Sequence, residues 1–411
     1  MRHAADWEWL EASLHSYCAL GSHMTDAGSP LAVAARSRSR IAYTLAIVAA
    51  LWVSTLAIAG ETIAPDARMT STARLLAGVG SDYPPHARVA ALEAWQQHRK
   101  WLAPRWKRVQ RVRVSVIENW RNEVLRGDLD DCRTLLYPFS GPDLLNAYLM
   151  FPRCDTYVFF GLEPPGAAPA LETMSPEETA ALLADIRIAF RDILARNYFI
   201  TKHMSEQLHT ARLDGVLPVM LVSMGLLNLS VVKVEPFDLA QLPGPHPGAK
   251  VDPERRAKGM KLTFFRPPGG KLQTLYYLSL NVTNGALRAN PEFLPFLERF
   301  KPSMTFIKSA AYLLQEREFT RIRQTLLDAS RVLVQDDTGI PYGLLVGRKF
   351  DIRLFGHYAP PIRDFPNAYQ GDLAAAYEHA GKVSELPFPF GYHWQQGQSG
   401  LMIARNTAIH P

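Results

Sequence analysis

The sequence predicts an α/β protein with a mixed, partly parallel sheet flanked by helices and with a long N-terminal helix. Two short apolar runs rich in β-forming residues, 134–139 and 156–162, are separated by a short helical segment at 144–151. Continuous apolar runs are typical of strands buried on both faces, and a helix between two of them indicates a parallel β-α-β unit. The long helix is predicted from about residue 90 to 126 because apolar residues recur there at helical spacing.

Further elements follow the β-α-β unit. Ser175 precedes Pro176 and two glutamates, which is the pattern of a helix N-terminus, and the helical spacing continues to about Leu213. Two β-like runs on either side of a Pro-Pro-Gly-Gly turn at 267–270 predict a hairpin. From Ser303 to about Ser330 the pattern predicts one long helix. The remaining predicted strands are 229–234, 331–334 and 351–355.

The composition excludes several classes of protein. The chain has 411 residues, of which 47% are hydrophobic and 20% are charged, with a formal net charge of +6. Such a balance excludes a disordered chain, a collagen and a coiled coil. The mean hydropathy of −0.08 and a single long apolar run exclude a polytopic membrane protein.

The single apolar run, Ile41–Ala59, has the parts of a secretory signal. It carries no charge over 19 residues, it follows Arg36, Arg38 and Arg40, and it ends in small residues two positions apart. We therefore expect the rest of the chain to be exported to the periplasm, or held at the inner membrane if the run remains as an uncleaved anchor. A buried helix of a soluble protein is the third interpretation.

This run divides the chain into four predicted parts. Residues 1–40 are a cytosolic leader or precede the true start of the protein, for which Met24 is a better position. Residues 41–60 are the signal peptide or membrane anchor. Residues 61–90 are polar and contain three prolines, which predicts a linker. Residues 91–411 then form a single exported α/β domain.

A basic stretch between residues 99 and 113 contains two tryptophans and no acid. Cations between tryptophans suit an anionic membrane surface, and export makes nucleic acid an unexpected partner. The simpler interpretation is the solvated face of a long helix whose tryptophans pack inward. The cations are Arg99, Lys100, Arg105, Lys107, Arg108, Arg111 and Arg113.

Two of the three cysteines, Cys132 and Cys154, have matching positions. Each stands two residues before one of the two apolar runs of the β-α-β unit. If these runs are neighbouring parallel strands, both sulfurs lie at the same edge of the sheet, which allows a disulfide in an exported protein. Two buried free thiols are the alternative. No histidine stands at ligand spacing from either cysteine, so a zinc site is not predicted.

Four motifs carry a resemblance to a known family. They are 137–143 (Tyr-Pro-Phe-Ser-Gly-Pro-Asp), 160–164 (Phe-Gly-Leu-Glu-Pro), 335–341 (Gln-Asp-Asp-Thr-Gly-Ile-Pro) and 354–358 (Leu-Phe-Gly-His-Tyr). Over roughly residues 90–405 the chain resembles a family of exported bacterial proteins that have no assigned activity. The resemblance implies a bacterial, exported, mixed α/β protein, and it supplies no catalytic residue.

The β-α-β unit has the outline of half a nucleotide-binding domain, such as a methyltransferase-like core. Glu163 stands where an acid would bind a ribose, and Ser140 and Gly141 stand where the turn would approach a ligand. However, the turn has one glycine rather than three, and Pro142 removes a donor amide. We therefore expect a scaffold without a cofactor, and the sequence predicts no metal site.

Acidic residues follow the predicted strands at their carboxyl ends, where α/β sheets bind ligands. If the strands are parallel, these acids converge on one cleft and suit general acid–base chemistry, with a histidine as proton carrier. The alternative is a local structural role for each residue, as a helix cap, in a turn or in a loop. The candidate catalytic residues are Asp143, Glu163, Asp336, Asp337 and His357.

Two functions are compatible with these observations. The first is an exported envelope protein that binds a ligand or partner and is not a catalyst, because the sequence contains no recognised catalytic motif. The second is a periplasmic hydrolase with a carboxylate-lined cleft, since water is always available outside the cytoplasm. The expected partners are the inner membrane through 41–59, an anionic membrane surface through 99–113, or an unidentified ligand or protein.

Overall fold

A computed structural model describes residues 64–199, 208, 213–239, 257–348, 350–395 and 397–409. A compact unit begins at Pro65. The apolar run 41–59 lies outside the described residues. Among the helices that are described, none combines the length and the apolar composition needed to cross a bilayer.

In the described part of the chain, nine strands form one mixed sheet. Its order is β3-β4-β5-β2-β1-β6-β7-β9-β8, and the five central strands, from β5 to β7, are all parallel. A hairpin of β3 and β4 extends one side, and antiparallel β9 lies between β7 and β8 on the other. The strands are β1 (Thr134–Pro138), β2 (Thr156–Gly161), β3 (Ser230–Phe237), β4 (Lys258–Phe265), β5 (Gln273–Ser279), β6 (Ser303–Ile307), β7 (Ser330–Gln335), β8 (Phe350–Gly356) and β9 (Gly400–Asn406).

Helices cover both faces of this sheet. The predicted long helix corresponds to α3, one π-helical turn over Gln110–Val114, and α4. The helices in the described residues are α1 (Ala67–Leu76), α2 (Ala87–Ala91), α3 (Glu93–Val109), α4 (Ser115–Val124), α5 (Arg126–Asp130), α6 (Leu144–Met150), α7 (Pro176–Arg196), α8 (Leu217–Leu226), α9 (Phe293–Glu298), α10 (Thr320–Ala329), α11 (Tyr342–Gly347) and α12 (Gly371–His379).

Alternate residues of the central strands enter two separate cores. In β1, Leu135 and Tyr137 pack in the core that contains α3, α6, α7 and α8, whereas Leu136 packs in the core that contains α9 and α10. All five residues of β1 are buried for this reason. The apolar runs of the sequence therefore predict β1, α6 and β2 correctly, and the mixed, partly parallel sheet is confirmed.

The parallel strands follow the order of a doubly wound fold. When β1, β2, β5, β6 and β7 are numbered in chain order, their order across the sheet is 3-2-1-4-5. The chain therefore reverses its direction of winding between β1 and β6. In such folds ligands bind outside the carboxyl ends of the strands at this switch point.

Three segments differ from the sequence-based assignment. Residues 303–307 are strand β6 rather than the start of a long helix, because Ser309, Ala311 and Tyr312 have positive φ angles that interrupt any helix. Strand β9 was not predicted. Helix α1, within the predicted linker 61–90, belongs to the compact unit, since Ala73 and Leu76 are buried.

Cys132 and Cys154 form the predicted disulfide, with their Cα atoms 4.5 Å apart. The pairing follows from the register of the sheet, because Thr134 of β1 lies opposite Thr156 of β2. Each cysteine precedes its strand by two residues, so both sulfurs reach the same edge. The bond closes a loop with a sequence separation of 22 residues.

We expect the disulfide to stabilise the fold by about 3 kcal/mol on the chain-entropy model. Urea unfolding of the oxidised wild type should therefore have a higher midpoint than unfolding in dithiothreitol. The double variant Cys132→Ser/Cys154→Ser serves as the control, because the reductant should not change its midpoint. Equal midpoints for the oxidised and reduced wild type would contradict the prediction.

Candidate functional site

The loops after β1 and β6 meet at the switch point, where a buried ion pair joins them. The ammonium of Lys308, directly after β6, lies 3.0 Å from Asp143 Oδ2, and both side chains are almost fully buried. Tyr137 donates to the same oxygen at 3.0 Å. The backbone N–H and the side-chain amide of Asn146 donate to Oδ1 at 3.1 and 2.9 Å.

Asp143 therefore has two roles at once. Its bond from the backbone N–H of Asn146 caps helix α6, which is the local structural role considered for it. Its ion pair with Lys308 adds a long-range contact between the two loops. A buried ion pair needs such additional donors, because they offset the desolvation of both charges. The position at which such folds bind ligands therefore contains a buried ion pair between two side chains of this chain.

Ser140 and Gly141 lie beside β2 in the same region. The backbone N–H of Ser140 donates to the carbonyl of Phe160 at 3.3 Å, and Gly141 has a φ of +49°. The Ser140 hydroxyl is buried and has no hydrogen-bond partner among the described residues. Binding of a ligand by Ser140 and Gly141 stays a prediction.

Glu163 lies after β2 and is buried next to β5. Burial raises the pKa of its carboxyl group. The hydroxyl of Tyr277 donates to the Glu163 carbonyl at 2.8 Å, and a Cβ atom added at Gly161 would lie only 2.9 Å from Glu163 Oε2. Glu163 therefore packs tightly against glycine and tyrosine.

Three of the five predicted catalytic residues, Asp336, Asp337 and His357, line one cavity with His393. Asp143 and Glu163 are not among its lining residues. The cavity has a volume of about 10 Å³, which is close to the space that one water molecule needs. The structure thus places part of the predicted set together, around a space too small for a substrate.

Hydrogen bonds tie the two aspartates of this cavity to the loop after β6. The backbone N–H of Ser309 donates to Asp336 at 2.9 Å, and the hydroxyl of Tyr312 donates to Asp337 at 2.6 Å. Thr338 donates to Asp336 through its backbone N–H at 3.0 Å. Gly391 has a φ of +66°, and a Cβ atom there would lie only 2.1 Å from Asp336 Oδ2.

Burial shifts the pKa values of the ionisable side chains around this cavity. Burial, followed by the charge of Asp337, raises the pKa of Asp336 to about 7, and burial raises the pKa of Asp337 to about 6. Burial lowers the pKa of His393, while Asp336 opposes that shift. Both carboxyl groups therefore hold their protons to higher pH than exposed aspartates do, which is the direction that general acid–base catalysis requires.

The described residues contain no cluster of three or more His, Cys, Asp or Glu side chains that could hold a metal ion.

Three residues of the site were not singled out from the sequence: Lys308, Tyr312 and His393. Lys308 and Tyr312 lie in a segment whose pattern predicts a helix. The only signal for them is the run Ser-Met-Thr-Phe-Ile at 303–307, which is compatible with a short buried strand.

Comparison of the sequence with models of known protein families, with curated proteins and with solved structures finds no match.

The buried pair should matter more to stability than a surface pair. We expect Lys308→Met to lower the free energy of unfolding by about 3–5 kcal/mol, because it removes one partner of a buried ion pair. The control is Arg348→Met, which removes a half-exposed pair with Asp328 and should cost about 1 kcal/mol or less. Urea unfolding measures both. Equal losses of unfolding free energy for the two variants would contradict the prediction that the buried pair contributes more than the surface pair.

The aspartate cavity should produce a pH dependence of stability. The raised pKa values mean that the folded state binds more protons than the unfolded state, so these groups cost stability as pH rises from about 4 through about 7. Asp337→Asn should therefore be stabilised relative to the wild type by more at pH 8 than at pH 5. We expect the relative change to exceed about 1.4 kcal/mol, which corresponds to one pKa unit.

Urea unfolding at pH 5, 6, 7 and 8 measures this difference. Asp364→Asn is the matched control, because Asp364 is exposed. Its stability relative to the wild type should not vary with pH. A pH-independent difference between Asp337→Asn and the wild type would refute the assignment of raised pKa values to the cavity.

Proposed function

We propose that this protein is an exported bacterial envelope protein that binds an anionic membrane surface and is not a catalyst. The observation that carries the proposal is a surface of exposed cations on α3 and the π-helical turn, which we name the basic face. Its members are Arg99, Lys100, Arg105, Lys107, Arg108 and Arg111.

The basic face lies opposite the side of α3 that enters the core. Trp95 and Leu102 are buried on that side, while Trp101 and Trp106 are half-buried between the cations. The guanidinium of Arg105 lies 4.6 Å from the centre of the Trp101 ring. Half-buried tryptophans next to cations suit the boundary between lipid headgroups and acyl chains.

Helix α7 extends this surface, because it packs against α3. Arg191 is exposed there, and Ile188 of α7 and Val112 of the π-helical turn are 47% and 50% exposed. One cation of the stretch does not contribute. Arg113 is buried and donates to the carbonyl of Ile193 at 3.0 Å. The surface thus combines at least six exposed cations with exposed apolar side chains.

Two further observations support the proposal. A disulfide between Cys132 and Cys154 is compatible with an oxidising compartment such as the periplasm. The switch point, where a doubly wound enzyme commonly binds its substrate, contains the buried Lys308–Asp143 ion pair, which favours a binding surface elsewhere on the molecule. Membrane attachment through residues 41–59, if the run is uncleaved, would hold the basic face near the same lipid surface.

A periplasmic hydrolase is the second candidate. It is favoured by one observation: Asp336, Asp337 and His357 line a common cavity and the two aspartates have raised pKa values. The water-sized cavity would have to open before a substrate could enter. Turnover of a nitrophenyl ester or phosphate by the wild type, abolished in Asp337→Asn, would favour this function.

Charge reversal on the basic face should weaken binding to anionic lipid. We expect the triple variant Lys100→Glu/Lys107→Glu/Arg111→Glu to bind phosphatidylglycerol vesicles at least about tenfold more weakly, since each cation near such a surface contributes about 1 kcal/mol. Co-sedimentation with phosphatidylglycerol and with phosphatidylcholine vesicles measures the ratio of the two affinities. The ratio cancels any charge-independent insertion by residues 41–59.

The matched control is Arg317→Glu/Arg321→Glu/Arg363→Glu, which reverses three exposed cations outside the basic face. It should keep the lipid preference of the wild type. If the wild type binds both vesicles equally, or if both triple variants lose the preference to the same extent, the basic face is not the binding surface.

A further inference from the structure

Strand β8 forms one edge of the sheet, and the part of the chain that the structure describes pairs with its outer side only at one end. Strand β9 pairs with its inner side from Phe350 to Gly356. On the outer side, the N–H of Gly356 donates to the carbonyl of Ser384 at 2.8 Å, and Phe355 and Ser384 form a single parallel bridge. The neighbouring chain thus reaches only the last residues of β8.

Three outward backbone groups of β8 before this bridge have no backbone hydrogen-bond partner among the described residues. The N–H of Gly356 points outward, and strand geometry repeats every two residues, so the N–H and C=O groups of Leu354 and Ile352 also point outward. The carbonyl of Leu354 faces the N–H of Ser384 in the bridge, whereas the N–H of Leu354 and both groups of Ile352 make no backbone hydrogen bond on this side with any described residue. An open row of strand donors and acceptors is a template for another strand.

By contrast, strand β3 at the opposite edge of the sheet is protected from the addition of another strand. On β3, the carbonyl of Val231 accepts from the N–H of Asp66 at 2.8 Å, and the N–H of Val231 donates to the Thr70 hydroxyl at 3.0 Å. Pro236 and Lys233 also lie on β3. Proline and lysine on an edge strand, together with a covering segment, are the usual means of preventing strand addition. Strand β8 contains no proline.

A groove of about 480 Å³ follows the open side of β8. Its floor contains the half-buried side chains of Ile352 and Leu354, and α12 and the segment after it form a wall. The ionisable side chains among its lining residues are Tyr342, Arg353, His379 and Lys382, and none of the lining residues carries a carboxylate. The groove is therefore complementary to a negatively charged chain.

We propose that the groove along β8 binds an extended acidic peptide segment of a partner protein, which adds to the sheet as a further strand. Main-chain bonds to Ile352 and Leu354 would supply affinity, alternate apolar side chains of the peptide would cover the floor, and acidic side chains would face Arg353 and Lys382. The free length from Phe350 to Leu354 matches about five residues of a strand, or about 17 Å.

This docking surface is independent of the basic face, and its test uses peptide rather than lipid. The probe is a fluorescein-labelled heptapeptide of alternating glutamate and valine, titrated with the full-length protein in its oxidised form. Two matched peptides accompany it: one with lysine in place of glutamate, and one that is N-methylated at every amide. We expect the acidic peptide to bind at least about tenfold more tightly than either control by fluorescence anisotropy.

Two variants locate the peptide on the protein. Ile352→Pro removes an outward N–H without removing a bond to β9 and should abolish binding. Arg353→Glu/Lys382→Glu changes only exposed side chains, so it keeps the test valid if the proline variant does not fold, and it should weaken binding about tenfold or more. Arg363→Glu, an exposed cation away from the groove, should bind like the wild type.

Several outcomes would overturn the proposal. They are the absence of binding, equal affinity for the acidic and basic peptides, undiminished binding of the N-methylated peptide, or undiminished binding by the double charge variant. A measurement of oligomeric state by sedimentation velocity could give a further outcome that overturns the proposal. A dimer of the wild type that Ile352→Pro dissociates would assign the edge to a second copy of the chain instead of a partner peptide.

Discussion

The ion pair between Lys308 and Asp143 is the contact on which the centre of this fold depends. It joins the loops after β1 and β6 at the point where the chain changes its direction of winding. Both charges are buried, so neither is tolerated without the other. Tyr137 and Asn146 complete the donor set around the carboxylate. At the position where doubly wound folds commonly bind a ligand, the Lys308 ammonium and the Asp143 carboxylate bind each other.

The loop after β6 also binds the acids that follow the neighbouring strand, β7. Strand β6 lies between β1 and β7, so its loop can reach the acids that follow both. Lys308 contacts Asp143 on one side, and the next residues of the loop donate to Asp336 and Asp337 on the other. Positive φ angles at Ser309, Ala311 and Tyr312 are held by these bonds together. The acids thus fix a strained loop between them.

Sequence patterns predicted the parts of this arrangement that depend on local signals. The strands β1 and β2 are continuous apolar runs, and the cysteines stand at equal distances before them, so their pairing could be inferred without the sheet order. Strand β6 could not, because Ile307, Ala311 and Leu314 also fit a helical spacing. Only the tertiary contacts of the loop after β6 exclude that helix. Lys308 was missed because strand β6 was missed. Without Lys308, the sequence indicates only a helix-capping role for Asp143.

The same reasoning explains why the predicted cluster of acids separates into different environments. Position after a strand places an acid at one edge of the sheet, but the strand order decides which acids meet. Asp336 and Asp337 share a cavity because they are neighbours in the chain, whereas Glu163 follows β2, which β1 and β6 separate from β7. Since the carboxylates are engaged in internal contacts, the two partner surfaces that we propose use other polar groups, on the exposed face of α3 and on the outer side of β8.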